Sequence, residues 1–230
     1  MARSARTPSA RAPSTWDSYR LFFAQFRQHF VLTGAIAPSG PALAQAITAP
    51  LAQAGRGAAR APVRVLEVGA GTGVFTAAIL RCLAPGDELD VYEINPNFQA
   101  CLEARLAANA LPGVDCRLHI AAIGGLQAAQ PFDFIISALP LNNFSAVEVE
   151  AILKLLMGHL RPGGTLSYFE YPFVRQLKRM LVTNAAERAR LRAVGEVVHS
   201  FLGRHPCRQA AVPLNLPPAV AHHILKPEVA

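Results

Sequence analysis

Val65-Leu66-Glu67-Val68-Gly69-Ala70-Gly71-Thr72-Gly73 is the stretch that decides the fold. The apolar run from Val63 to Val68 reads as a buried strand, and glycines at three alternate positions follow it. Glycine lacks a Cβ and accepts positive φ, so this spacing permits a tight strand-to-helix turn with close approach of a ligand to the backbone. Val74 to Leu83 then reads as a helix. A glycine triplet alone fits many nucleotide folds, or a plain tight turn. Two details narrow the choice: the spacing is G-x-G-x-G rather than the G-x-G-x-x-G of dinucleotide folds, and Glu67 stands two residues before the first glycine.

The rest of the chain alternates in the same way. Glu88 to Tyr92 reads as a second strand ending at Glu93, Pro96 to Ala110 as a helix, and Val114 to Ile120 as a third strand. Phe132 to Ser137 is a fourth strand, Ala146 to Leu160 the helix after it, Arg161-Pro162-Gly163-Gly164 a turn, and Thr165 to Tyr171 a fifth strand. Such alternation predicts an α/β, Rossmann-like domain with a mostly parallel, doubly wound sheet. Arg175 to Gly203 reads as largely helical and basic, and the remainder, punctuated by Pro206, Pro213, Pro217 and Pro218, predicts short edge strands.

Upstream, Trp16, Tyr19, Phe22, Phe23, Phe26 and Phe30 recur at steps of three and four, the stripe of an amphipathic helix. A loop from Thr33 to Gly40 leads to a helix that Ser39 caps, Pro41 opens and Ala54 roughly ends. The expected organisation is a disordered basic tail over 1–14, amphipathic helices serving as lid or membrane contact over 15–60, and a ligand-binding domain over 61–230.

Composition bounds the function. With 52% apolar and 16% charged residues, the chain suits a packed domain rather than a disordered one. No run approaches the roughly eighteen apolar residues that a membrane-spanning helix needs, and the basic N-terminal stretch lacks the apolar core of a secretory signal. Cys82, Cys101, Cys116 and Cys207 are too far apart for paired C-x-x-C ligand spacing, so they read as core thiols, with no metal expected. The net charge of +7 favours an anionic partner, either nucleic acid or an acidic membrane surface.

With Glu67, the glycine loop and an acid, Glu93, ending the second strand, the sequence resembles the class I S-adenosylmethionine-dependent methyltransferases. The resemblance implies S-adenosyl-L-methionine as cofactor. Gly69, Ala70, Gly71, Thr72 and Gly73, with Glu67, would face its methionine part, and Glu93 would accept both ribose hydroxyls. Ile94 and Ala121 would lie near the adenine. The family usually places an acid at the end of the third strand, where His119-Ile120-Ala121-Ala122 offers none. Backbone groups and apolar side chains such as Ile94 and Ile120 are the expected substitutes.

At the fourth-strand position, Ser137-Ala138-Leu139-Pro140 resembles the acceptor motif of amino-group methyltransferases without its leading Asn. That loss argues against an exocyclic base amine, the nucleophile needing most help. An alkyl amine needs mainly positioning and removal of a proton. The resemblance makes Ser137 and Leu139, with Tyr168 and Tyr171 on the fifth strand, the candidate catalytic residues, and Glu170 stands between the tyrosines. The two tyrosines also suit plain core packing, and Asn142 and Asn143 suit a turn.

Two further segments narrow the family. Phe30-Val31-Leu32-Thr33-Gly34-Ala35-Ile36-Ala37-Pro38-Ser39 and Asn215-Leu216-Pro217-Pro218-Ala219 resemble the opening and closing motifs of bacterial phospholipid N-methyltransferases, to which ornithine lipid N-methyltransferases are closely related. The resemblance spans roughly Trp16 to Val220. It implies successive N-methylation of a membrane aminolipid, phosphatidylethanolamine or ornithine lipid, at the cytoplasmic face of the inner membrane, with no nucleic acid or protein partner. The Trp16–Phe30 face and the cations Arg175, Lys178, Arg179, Arg188, Arg190 and Arg192 would dock on anionic lipid, each well-placed cation contributing about 1 kcal/mol.

Two other readings stand beside it. An rRNA adenine N6-dimethyltransferase would suit the charge and a faint likeness at Gln28-His29-Phe30, against the missing Asn and a short chain after Tyr171. A non-catalytic S-adenosylmethionine-binding or membrane-surface protein is disfavoured by the intact Gly69-Gly71-Gly73 loop together with Glu93.

Overall fold

Seven strands form one sheet in the order β3-β2-β1-β4-β5-β7-β6. The computed structural model of the protein describes residues 40–55, 60–172 and 184–228. The Trp16–Phe30 helix, the Phe30–Ser39 segment, Arg175, Lys178 and Arg179 lie outside the described residues. The strands are β1 (Arg64–Val68), β2 (Glu88–Glu93), β3 (Asp115–Ile120), β4 (Phe132–Ser137), β5 (Leu160–Glu170), β6 (Cys207–Val212) and β7 (Ala219–Leu225). The helices are α1 (Pro41–Ile47), α2 (Ala49–Ala54), α3 (Val74–Leu80), α4 (Gln99–Ala108), α5 (Ala146–His159) and α6 (Ala185–Gly203). β1 to β5 pair in parallel, whereas β7 runs antiparallel between β5 and β6. The order reverses between β1 and β4, and that reversal opens a crevice beyond their carboxyl ends.

Two apolar layers sandwich the sheet. On one face Leu66, Val68, Ile135, Leu166, Tyr168 and Ile224 pack under α5 and α6. On the other Val65, Leu89, Val91 and Ile136 pack under α1, α3 and α4. The period of two in each strand sends alternate residues to these layers. A capping box starts α5, in which the Ser145 hydroxyl accepts from the Glu148 N–H and the Glu148 carboxylate accepts from the Ser145 N–H. None of the four cysteines is in a disulfide; Cys82, Cys116 and Cys207 are half-buried, whereas Cys101 is exposed and so is not the core thiol expected. No helix among the described residues is long and apolar enough to cross a membrane.

Three expectations change. The helix expected from Pro41 to Ala54 is broken at Thr48. Pro50 has no N–H to donate and its ring crowds the carbonyl one turn back, so the chain restarts as α2. The turn at Arg161-Pro162-Gly163-Gly164 is instead a bulged part of β5, whose register against β4 shifts between Phe132 and Phe134. There the Gly163 N–H donates to the Lys226 carbonyl and the Lys226 N–H to Gly164, each at 2.9 Å. Gly164 is needed because a Cβ would sit 2.9 Å from the Asp133 and Arg161 carbonyl oxygens. Finally, of the two C-terminal strands expected at an edge, only β6 lies there, since β7 is hydrogen-bonded on both sides.

Candidate active site

The turn after β1 is built as its glycines require. Gly69, Gly71 and Gly73 all have positive φ, at 78°, 55° and 78°. A side chain at Gly69 would meet the Leu139 methyl at 3.1 Å, and one at Gly73 would meet Leu102 and Arg105 at 3.1 and 3.2 Å. Gly71 differs, because a Cβ there would meet nothing within 4 Å. It is the crest of the loop, and it faces open space.

Glu93 fixes that crest. Its Oε2 accepts the Gly71 N–H and its Oε1 accepts the Asn95 N–H, both at 2.8 Å. The Gly69 N–H donates to the Tyr92 carbonyl at 2.8 Å, so β2 holds the loop twice. Burial pushes the Glu93 carboxyl above its usual range, against N–H donors from Asn95, Gly71 and Ile94. Each carboxylate oxygen keeps a lone pair for a ligand hydroxyl.

A cleft opens beside this latch. Val68, Gly69, Tyr92, Glu93, Ile94, Ala121, Ala122, Ile123 and Leu139 line it. Of the expected contacts, Gly69, Glu93, Ile94, Ala121 and Leu139 are therefore gathered in one place. Ile120 is not among the lining residues; Ile123, 5% exposed in the short turn after β3, lines the cleft instead. No residue pattern announced Val68 or Ile123, because each belongs to an unremarkable apolar run. The wall facing Glu93 is apolar, which suits the flat face of a base, while Glu93 suits a diol. The donor set thus fits a nucleoside.

Other predicted residues stand elsewhere. Glu67 is fully buried below the loop, where its Oε2 accepts from the Thr76 hydroxyl at 2.7 Å. Burial raises its carboxyl to about 7, with Thr76 opposing the shift. It braces the start of α3 and does not line the cleft, which corrects its expected contact role. Ala70 is buried within the turn, and Thr72 is exposed, its carbonyl accepting from Arg105 at 3.4 Å. Ser137 ends β4, 2% exposed, with its Oγ 3.5 Å from the Leu139 N–H.

The tyrosines do not converge. Three positions apart, they pack into opposite apolar layers, Tyr168 within β5 and Tyr171 just beyond its end. Tyr168 is 2% exposed and stacks on His222 with ring centroids 4.7 Å apart, so its expected catalytic role gives way to a core role. Tyr171 packs edge-on to Phe169 at 5.2 Å, next to the carboxyl end of β5. His222, which the sequence did not single out, has Nε2 3.8 Å from the Glu170 carboxylate. Only the pairing of β7 with β5 brings these two together.

The cation patch on α6 is smaller than expected. Arg190 binds Glu187 at 2.6 Å and donates to the Phe144 and Asn142 carbonyls at 2.5 and 3.0 Å, so it anchors the loop after β4. Arg188 and Arg192 are exposed. The closing motif is also structural in part. Asn215 is 3% exposed, its Oδ1 accepts the Gly40 N–H at 2.9 Å and its Nδ2 donates to the Pro217 carbonyl at 2.8 Å. It ties the start of α1 to the β6–β7 turn.

Sheet order, crevice and latched glycine loop together define the class: the chain has the Rossmann-like class I methyltransferase fold. Residues 65–164 match the family described as a methyltransferase domain. The chain is 29% identical over 160 residues to the ornithine lipid N-methyltransferase of Singulisphaera acidiphila, a match covering 68% of this chain and 80% of that one. Among solved structures, the O-methyltransferase from Bacillus cereus in complex with SAH is similar with a TM-score of 0.60 at 16% identity, over 90% of this chain and 91% of that one. The N-methyltransferase NodS from Bradyrhizobium japonicum, in complex with S-adenosyl-L-homocysteine, is similar with a TM-score of 0.56 at 17% identity, over 82% of this chain and 89% of that one.

Proposed function

We propose that the protein is an S-adenosyl-L-methionine-dependent N-methyltransferase acting, in successive steps, on the primary amine of a membrane aminolipid head group at the cytoplasmic face of the inner membrane. The observation that carries this reading is the loop crest: Gly71, latched to Glu93, borders open space beside a cleft with one acid and an apolar wall. The Singulisphaera relative, named for ornithine lipid N-methylation, supports the acceptor class. Phosphatidylethanolamine presents the same primary amine.

The bound cofactor supplies an electrophilic methyl group on a sulfonium. This chain's residues orient and exclude water. Glu93 would accept from the ribose hydroxyls with the lone pairs that Gly71 and Asn95 leave open, and Ile94, Ala121, Ala122 and Ile123 would keep water from the base. Leu139 lines the cleft where the amine would arrive, and Ser137, buried just before it, has its Oγ 3.5 Å from the Leu139 N–H. The amine nitrogen must be neutral to attack, so a proton has to leave it. Glu170, with His222 behind it, and Tyr171 are the titratable groups at the carboxyl end of β5 suited to receive that proton.

The test is methyl transfer from labelled S-adenosylmethionine by the purified full chain, offered phosphatidylethanolamine vesicles, ornithine lipid vesicles or structured RNA in parallel. Label in either lipid supports the reading and identifies the acceptor. Label in RNA, or in none of the three, overturns it.

A further inference from the structure

The β6–β7 turn, residues 213–218, carries the two most exposed large apolar side chains among the described residues: Leu214 is 90% exposed and Leu216 is 77% exposed. A pair of leucines held in water on one short turn calls for an occupant. The turn is not loose. Asn215, between them, points inward and is fixed by Gly40 and Pro217, while its own N–H donates to Val212 at 3.3 Å. With Asn215 pinned in, its neighbours on both sides point out.

The position of the turn matters. β7 runs antiparallel to β5, with Val220 opposite Glu170 and Ala219 opposite Val212. The turn therefore lies at the carboxyl end of β5, on the edge of the sheet where the crevice opens. Its chemistry suits a nonpolar medium. Pro213, Pro217 and Pro218 have no N–H, and the Asn215 N–H is already bonded, so few backbone donors would be stranded outside water.

Charge supplies the second argument. The described residues carry thirteen Lys or Arg against fourteen Asp or Glu, so they contribute none of the chain's positive excess. That excess belongs mainly to residues 1–39, with five Arg and one Asp, and to residues 173–183, with Arg175, Lys178 and Arg179. The first segment joins the fold at Gly40, the hydrogen-bond partner of Asn215; the second leaves it at Pro172, two residues beyond β5. Both junctions flank the leucine turn.

We propose that the Pro213–Pro218 turn is a wedge that inserts Leu214 and Leu216 into an anionic lipid surface and so seats the mouth of the crevice at the head groups. This rests on the aminolipid reading for its purpose, though not for its measurement. Apolar insertion provides the hold, and the chain's net charge of +7 favours anionic over neutral lipid.

Two variants test it with the full chain. In a W16F background, L216W places a reporter at the tip; phosphatidylglycerol-containing vesicles with brominated acyl chains should quench its fluorescence and shift it to the blue. In parallel, L214S/L216S should lower the vesicle-bound fraction in cosedimentation by about tenfold or more. It should leave the melting temperature and the affinity for S-adenosylmethionine unchanged. An unquenched reporter, or unaltered partition of the double variant, overturns the wedge. So does a concentration-dependent blue shift without vesicles that tracks dimer formation in light scattering, because the occupant is then a second copy. Quenching without methyl transfer to any lipid keeps the wedge and sinks the acceptor assignment; transfer to lipid without quenching does the reverse.

Discussion

The Oε2 of Glu93 accepts the N–H of Gly71 at 2.8 Å, joining the end of the second strand to the crest of the loop after the first. One carboxylate thus shapes the loop and faces the cleft. In E93Q the amide keeps one acceptor oxygen but loses the charge and the second acceptor, so either Gly71 or Asn95 loses its partner. S-adenosylmethionine affinity should fall by roughly 10- to 100-fold, as expected for a charge-assisted hydrogen bond worth about 1.5–3 kcal/mol. Titration calorimetry measures this, and unchanged affinity would show that the acid serves only the loop.

Gly71 and Gly73 should respond differently to a methyl group. At Gly71 the added Cβ meets no protein atom, so G71A carries only the cost of positive φ, about 1–2 kcal/mol, together with a loss of ligand binding. At Gly73 the same change also crowds Leu102 and Arg105. G73A should therefore lower the melting temperature more than G71A does, while G71A loses more affinity relative to its stability. Thermal melts with and without S-adenosylmethionine separate the two.

Glu67 makes stability depend on pH. Its carboxyl is raised to about 7 in the fold, chiefly by burial, and titrates near 4.5 when exposed. The folded state therefore holds more protons than the unfolded one between these values. This contribution is fully present below pH 4.5 and is lost as pH rises through 7, on the order of 3 kcal/mol in all. E67Q retains an acceptor for Thr76 and cannot ionise. Its melting temperature should exceed that of the wild type at pH 8 and approach it at pH 5; parallel curves would rule out Glu67 as the titrating group.

Asn215 clasps the two ends of the described fold. N215A leaves the Gly40 N–H without its partner and removes the bond to Pro217, so it should cost about 2–4 kcal/mol. N215D keeps an acceptor for Gly40 and should retain part of that stability. Chemical denaturation ranks the three proteins, and equal midpoints would mean that the clasp contributes nothing.

Tyr168 and Tyr171 divide between core and edge. Y168A empties a packed site and should destabilise by about 3–5 kcal/mol. Y168F should leave kcat for methyl transfer nearly unchanged, because the ring lies in the core beside His222. Y171F is the variant expected to lower kcat, by about tenfold if its hydroxyl takes part in proton removal. Equal effects of the two Phe variants on steady-state kinetics would contradict this division.

Local pattern alone determined the alternation of strands and helices, the glycine turn and the acid that ends the second strand. Each is set by near neighbours: a period of two or 3.6, or a backbone that only glycine tolerates. What needed the tertiary structure were relations across the chain. The bulge at Arg161-Pro162-Gly163-Gly164 exists because Lys226 pairs with Gly163 and Gly164 from more than sixty residues away. Glu67 turned out to be a brace because Thr76 reaches it from α3, and Tyr168 a core residue because β7 lays His222 against it. The inward Asn215 and its two outward leucines are equally invisible in sequence, since burial depends on which distant segment arrives to cover a side chain.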